Sequence, residues 1–334
     1  MPLLASLGFI IYALVPTLLP QYAYIGLLIG TIIFSVSAGL NEVLISPMVA
    51  AIPSDHPDRD MSTLHSLYGY GSVIVVLIST GFLRIFGTEN WMYLPLLFAI
   101  PPITASILLH LCPLPDIYIS HASSGQSAKR RRIGLALCAT TIFLGSATEN
   151  TMTNWISIFM ENALHLPKIA GDTIGFAFFM LLLALVRTWY AQYGKSIFNI
   201  LLLSMIGSIG CYLVAGLSTN LIISVIACIS TGLCASMLWP GVLILMEEKF
   251  PCLGVTAYAL MAASGDFGAS VAPQGMGIIV DEITASAWAA RLSETLPLTA
   301  EQIGMKASMV LAAVFPILGT FVLLYMRRFF RKET

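Results

Sequence analysis

The chain has 334 residues, of which 57% are hydrophobic and only 10% charged, whereas an ordinary soluble domain carries roughly 25% charged residues. A mean hydropathy of +0.88 leaves more apolar surface than a soluble fold can hide, and a net charge of -1 argues against nucleic acid, which requires clustered cations on a presented face. Repeated runs of about 20 apolar residues match a bilayer core of roughly 30 Å, so the sequence predicts an all-α, polytopic membrane protein whose first partner is the lipid bilayer.

In chain order the predicted spans are 3–19, 23–51, 62–87 and 91–112, then 133–160, 170–191, 196–217, 220–247, 253–280 and 307–327, about ten in all. The chain enters the first almost directly from Met1, without a basic n-region or an A-x-A site, so no cleaved signal peptide is expected. Between the second and third, Pro53 to Asp60 forms a polar turn with two prolines. The longest polar interval, Pro113 to Arg132, separates four spans from six. It divides the chain into an incomplete first half-bundle (1–112), a basic loop (113–132) and a six-helix half-bundle with a tail (133–334).

Four consecutive cations, Lys129 to Arg132, place that loop on the cytoplasmic side, because short loops rich in Lys and Arg stay inside. Alternation then puts Arg59, Lys195, Lys249 and the tail cations Arg327, Arg328, Arg331 and Lys332 inside too. Eleven of the sixteen cations fall there, against Lys168, Arg291 and Lys306 outside. The orientation has both termini cytoplasmic, in an integral protein expected in the plasma (inner) membrane. The external loop from Asp281 to Lys306 is long enough for a surface helix. Six cysteines lie in or beside apolar segments without CxxC or metal-type spacing, so they read as packing residues, with no disulfide framework, metal site or cofactor.

Charged side chains in a bilayer core cost at least a few kcal/mol each and face a cavity or a partner when they persist. In the second span Ser35, Gly39, Glu42 and Ser46 share one helical face, with Pro47 one turn beyond to kink the helix. Glu42 is either a protonatable carboxyl facing a cavity or a carboxyl neutralised by a neighbouring helix. In the fifth span Asn150, Asn154, Ser157 and Glu161 share a face, with Glu149 and Thr153 on the adjoining strip. Beside Trp155, that strip suits a hydroxylated solute, although small polar residues also join helices in membranes. Function is favoured for Glu149.

In the ninth span Asp266, Ser270 and Gln274 repeat every fourth residue, and Gly265, Gly268 and Gly275 permit close helix approach or local unwinding. Asp266 is either functional or a solvated residue near a helix end. Trp239, Pro240 and Gly241 in the eighth span make a gating bend or an ordinary packing kink. Arg84 and Arg187 sit near predicted span ends, where cationic side chains reach water, and read as structural.

Several of these features carry a resemblance. Asn41-Glu42 followed by Ser46-Pro47, the run from Leu64 to Gly71, the central basic loop, Glu149 with Trp155, and the Gly/Pro-rich ninth span together resemble the major facilitator superfamily, and more specifically its fucose-permease-like sugar:proton symporter branch. The resemblance implies two six-helix halves with cytoplasmic termini, so the first two helices are expected to be missing from the N-terminus. It places Glu42 at the protonation-linked carboxyl of the family's fourth helix, and Glu149, Asn150 and Asn154 on a central cavity. The acidic partner in the family's first helix has no counterpart, and His65 falls near a cytoplasmic helix end, where a structural role is expected.

The expected function is secondary active transport of a small hydrophilic, sugar-like solute by proton-coupled alternating access, in a monomer. Expected site residues are Asn41, Glu42, Glu149, Asn150, Asn154, Trp155, Trp239, Asp266 and Gln274. The alternative is a non-transporting or receptor-like fragment derived from a transporter. An enzyme is not expected, because no nucleophile with a base and no clustered ligand set is present.

Overall fold

A computed structural model of the chain describes residues 1–115, 128–194, 196–251 and 253–331. Most of the predicted basic loop, with Lys195, Cys252 and Lys332, lies outside the described residues. The described residues are almost wholly helical, and no strand occurs among them. In chain order the elements are α1 (Pro2–Leu18), α2 (Ala23–Ala51), α3 (Pro57–Phe86), α4 (Tyr93–Leu111), α5 (Ala128–Ile158), α6 (Lys168–Tyr193), α7 (Ile197–Leu217), α8 (Leu221–Lys249), α9 (Val255–Thr284), α10 (Ala287–Thr295) and α11 (Ala300–Arg331).

Seven of these, α2, α3, α4, α6, α7, α8 and α11, are long and apolar enough to cross a membrane. The polar strips that interrupt α5 and α9 dilute their apolar runs, although each is about 45 Å long at 1.5 Å per residue. This is an integral membrane fold.

Three boundaries differ from the sequence expectation, each for a local reason. The polar turn expected up to Asp60 ends early, because Pro57 is preorganised for a first helical position and Asp58 and Asp60 follow in the first turn of α3. The last span starts at Ala300 rather than 307, where Thr299 and Gln302 form a reciprocal capping box. The Lys129–Arg132 run lies within the first turns of α5. There Arg130 donates to the Phe329 carbonyl at 2.9 Å, tying the start of α5 to the end of α11.

Proline and glycine set how the helices meet. Helix α2 continues through Pro47, and α9 runs unbroken through Gly265, Gly268 and Gly275, so the local unwinding considered for α9 does not occur. Close approach does occur: a Cβ at Gly268 would overlap the Phe143 carbonyl of α5, and one at Gly265 would overlap the Trp239 indole, whereas Gly275 has open space. In α8 regular helix stops at Ala235 and resumes at Pro240, so the break falls over residues 236–239, just before the proline. The surface helix expected in the external loop is α10, whose N-cap Ser286 accepts from the Ala289 amide.

Helices α1, α2 and α4 pack together, as do α5, α7, α9 and α11, while α3 lies chiefly along α6 and α2 also touches α9. Met61 of α3 joins the core cluster formed by Tyr190, Leu201, Leu238 and Val242. This apolar contact joins α3 to α6, α7 and α8. Helices α2, α3 and α4 are less buried than α6, α7, α8 and α11, so the described residues leave most of the apolar surface of the first part of the chain uncovered.

Candidate functional site

A cavity of about 450 Å3 lies between the two groups of helices. Helix α2 contributes Asn41, Glu42 and Ser46; α3 contributes His65 and Tyr68; α5 contributes Glu149 and Asn150. Arg187 from α6, Trp239 at the α8 break and Asp266 from α9 complete its polar lining. Six elements thus converge on a space within the range of small-molecule sites.

The centre of this wall is Arg187, 2% exposed. Its Nη2 contacts both carboxylate oxygens of Glu149, at 3.3 and 3.2 Å, and Glu149 is itself 6% exposed. Nη1 donates to the His65 carbonyl at 2.9 Å, and Nε donates to the Ser236 carbonyl at 2.7 Å. The last bond has a covalent origin. Pro240 carries no N–H, so the carbonyl four residues earlier, Ser236, loses its helical donor. Arg187 supplies a replacement, and the α8 break and the buried cation stabilise one another.

The same arginine lies on the seam between the groups of helices. Ser62 Oγ of α3 donates to the Arg187 carbonyl at 2.7 Å, and the Tyr70 and Thr188 hydroxyls meet at 3.0 Å. Gly69 lets α3 approach so closely that an added Cβ would lie 2.8 Å from the Ala184 Cβ. These contacts correct the expectation that Arg187 reaches water from a helix end. It sits six residues inside the end of α6, about 9 Å along the axis, and its charge is satisfied internally.

Of the residues expected at the site, the structure brings Asn41, Glu42, Glu149, Asn150, Trp239 and Asp266 to this cavity. It places three elsewhere. Asn154 is exposed and its amide turns back to the Asn150 carbonyl at 2.8 Å. Trp155 donates its indole N–H to the Pro273 carbonyl at 3.0 Å, fastening α5 to α9. Gln274 is exposed and absent from the lining. A strip along one helix spans more than the length that a cavity opens, so residues four or eight positions from a lining residue do not all reach it.

Arg187, His65 and Tyr68 are lining residues for which sequence reasoning gave no site role. A lone arginine within the apolar run from Phe178 to Tyr193 was the available signal, since an intramembrane charge faces the bundle interior by default. Within the wall, Asn41 Oδ1 and His65 Nε2 are buried side-chain atoms without a hydrogen-bond partner. Each leaves a polar group for a ligand or a water to satisfy.

The lining carries three carboxyls, on Glu42, Glu149 and Asp266, against one guanidinium. Glu149 is the one paired with it; among the described residues no cation lies within 4.0 Å of Glu42 or Asp266. The described residues hold no group of three or more His, Cys, Asp or Glu arranged to bind a metal.

Residues 2–273 match the family model described as Major Facilitator Superfamily. No curated protein matches the chain significantly. Among solved structures, the chain is similar to the human organic anion transporter MFSD10 (TETRAN), at a TM-score of 0.69 and 14% identity over 96% of this chain and 76% of that one. It is also similar to the transporter FucP in an outward conformation, at 0.59 and 14% identity over 94% and 82% of the two chains. A second structure of FucP, the E. coli fucose:proton symporter, gives 0.57 and 15% over 94% and 83%. At such identities the likeness establishes the fold alone.

Proposed function

Because the chain belongs to the major facilitator superfamily, we propose that it is a secondary active transporter that carries a small hydrophilic, sugar-like solute by proton-coupled alternating access. In this reading both termini are cytoplasmic, the protein works as a monomer in the plasma membrane, and the cavity between residues 1–112 and residues 133–334 is the solute site. The observation that carries the proposal is the convergence of Glu42, Asp266 and the Glu149–Arg187 pair, with Asn41, Asn150 and Trp239, on one cavity between the two groups of helices.

Amides and carboxylates accept and donate to hydroxyls, while an indole covers the apolar face of a ring. The charge balance favours a neutral solute, since an anion of the kind named for MFSD10 would meet two unpaired carboxyls. Glu42 is the proposed proton carrier. It belongs to α2, faces the cavity and has no cationic partner among the described residues, so a proton can neutralise it without breaking an ion pair. The fucose-permease-like branch fits this chemistry through Asn41-Glu42 and the Leu64 to Gly71 run.

The alternative reading is a transporter-derived protein that does not transport. One assay separates the two. Protein reconstituted in vesicles is offered a panel of radiolabelled sugars and polyols, with and without an inward proton gradient. The proposal expects gradient-driven uptake of at least one of them, and Glu42→Gln to abolish gradient dependence while retaining exchange of solute at equal concentrations. Uptake that ignores the gradient in both proteins refutes the coupling, and binding without any flux favours the second reading.

A further inference from the structure

A second cavity, larger than the central one and sharing no residue with it, lies at the opposite end of α7 and α8 from the Met61 contact. It measures about 790 Å3 and sits where α5, α7 and α9 end and α8 and α11 begin, with α10 along its edge. Leu164, Leu217, Leu292 and Ile303 give it apolar walls. Leu217, Trp288 and Leu311 of its lining are 68%, 52% and 50% exposed, so apolar surface continues from the cavity to the outside of the bundle.

One cation faces this space. Lys306 is half-buried, and its ammonium donates to the Ser218 carbonyl at 2.8 Å and lies 5.9 Å from the centre of the Phe159 ring. No carboxylate among the described residues lies within 4.0 Å of it. An ammonium has three donors, and a single carbonyl leaves its charge uncompensated. The floor beside it is fixed, because Gln302 donates to the Ala163 carbonyl at 3.1 Å and meets the His165 ring at 2.8 Å. Lys306 lies six residues into α11, about 9 Å from its start, one residue before the apolar span expected over 307–327.

We propose that this cavity is a binding site for an acidic phospholipid of the surrounding bilayer, with the phosphate on Lys306 and one acyl chain in the groove between α10 and the ends of α7 and α8. A purely apolar occupant leaves the ammonium without an anion. A small anion leaves the groove without a chain. A zwitterionic lipid brings its own cation close to the phosphate and competes with Lys306, so the site selects for net negative charge. The site lies on the second group of helices alone and does not depend on which solute the central cavity takes.

The test is thermal unfolding of the full chain in detergent micelles doped with phosphatidylglycerol, phosphatidylcholine of the same chains, or oleate. Phosphatidylglycerol is expected to raise the midpoint by several degrees more than phosphatidylcholine. Lys306→Gln is expected to erase that difference, while Arg291→Gln, which removes an exposed cation of α10 outside the cavity, keeps it. Should Lys306→Gln fail to fold, Leu311→Trp fills the exposed rim instead, and native mass spectrometry is expected to show fewer phosphatidylglycerol molecules retained than by the unsubstituted chain. Equal shifts with the two phospholipids, a difference that survives Lys306→Gln, unchanged lipid retention by Leu311→Trp, or an oleate shift as large as that of phosphatidylglycerol each overturn the assignment.

Discussion

Replacing Arg187 by Met tests whether the buried cation organises the central wall. The substitution keeps an unbranched apolar side chain but removes the partner of a carboxylate that is 6% exposed, and removes the donors to the His65 and Ser236 carbonyls. Breaking one side of a buried pair costs about 3–5 kcal/mol, because the other charge is left uncompensated. Glu149→Gln takes away the acid and leaves the guanidinium two carbonyl acceptors, so it should cost less. If Glu149 and Arg187 act as a pair, the loss in the double variant falls short of the sum of the single losses by about 1–3 kcal/mol. Equilibrium unfolding in mixed micelles, followed by tryptophan fluorescence, measures all four proteins. Additive losses, or a stable Arg187→Met, would show that the contacts around Arg187 do not form the linked unit described above.

Other consequences are local. Gly268→Ala drives a methyl into the Phe143 carbonyl of α5, a backbone atom that cannot swing aside, and should destabilise by about 1–3 kcal/mol. Gly275→Ala in the same helix meets nothing within 4 Å and should be neutral or stabilising by up to about 1 kcal/mol; equal losses in the same unfolding assay would contradict the close crossing of α5 and α9. Thr299→Ala removes one side of the capping box at the start of α11 and should cost about 0.5–2 kcal/mol, read as a lowered thermal midpoint. Cys112 is exposed at the end of α4 while Cys138 and Cys228 are buried. With the proposed orientation, a membrane-impermeant maleimide should label Cys112 only from the cytoplasmic face, and labelling from the other face would invert the topology.

The membrane class and most helix positions could be read from the sequence because bilayer thickness imposes a length and a polarity that composition cannot conceal. Boundaries failed where a few residues outweighed the average, as at Pro57 and at the Thr299–Gln302 cap. The cavity was legible one helix at a time: Glu42, Asn150 and Asp266 each stand out in an apolar run, and all three line it. Geometry across helices was not legible. Arg187 looked like a residue near a helix end because nothing in its own segment reveals that Pro240, 53 positions later in the sequence, frees the carbonyl it fills. Asn154, Trp155 and Gln274 illustrate the converse, since helical period gives a shared stripe without saying how much of its length the neighbouring helices leave open.

The central claim is that water and a solute reach the space lined by Asn150 and not the outer surface of the bundle, represented by Leu203 of α7, a helix that contributes nothing to the cavity. Cysteine placed at Asn150 or at Leu203, in a Cys112→Ser background in proteoliposomes, can be challenged with a charged methanethiosulfonate reagent. Rapid modification of Asn150→Cys, with Leu203→Cys protected by lipid, is the expected result. Modification of Leu203→Cys alone, or of neither position, would contradict a hydrated path through the cavity.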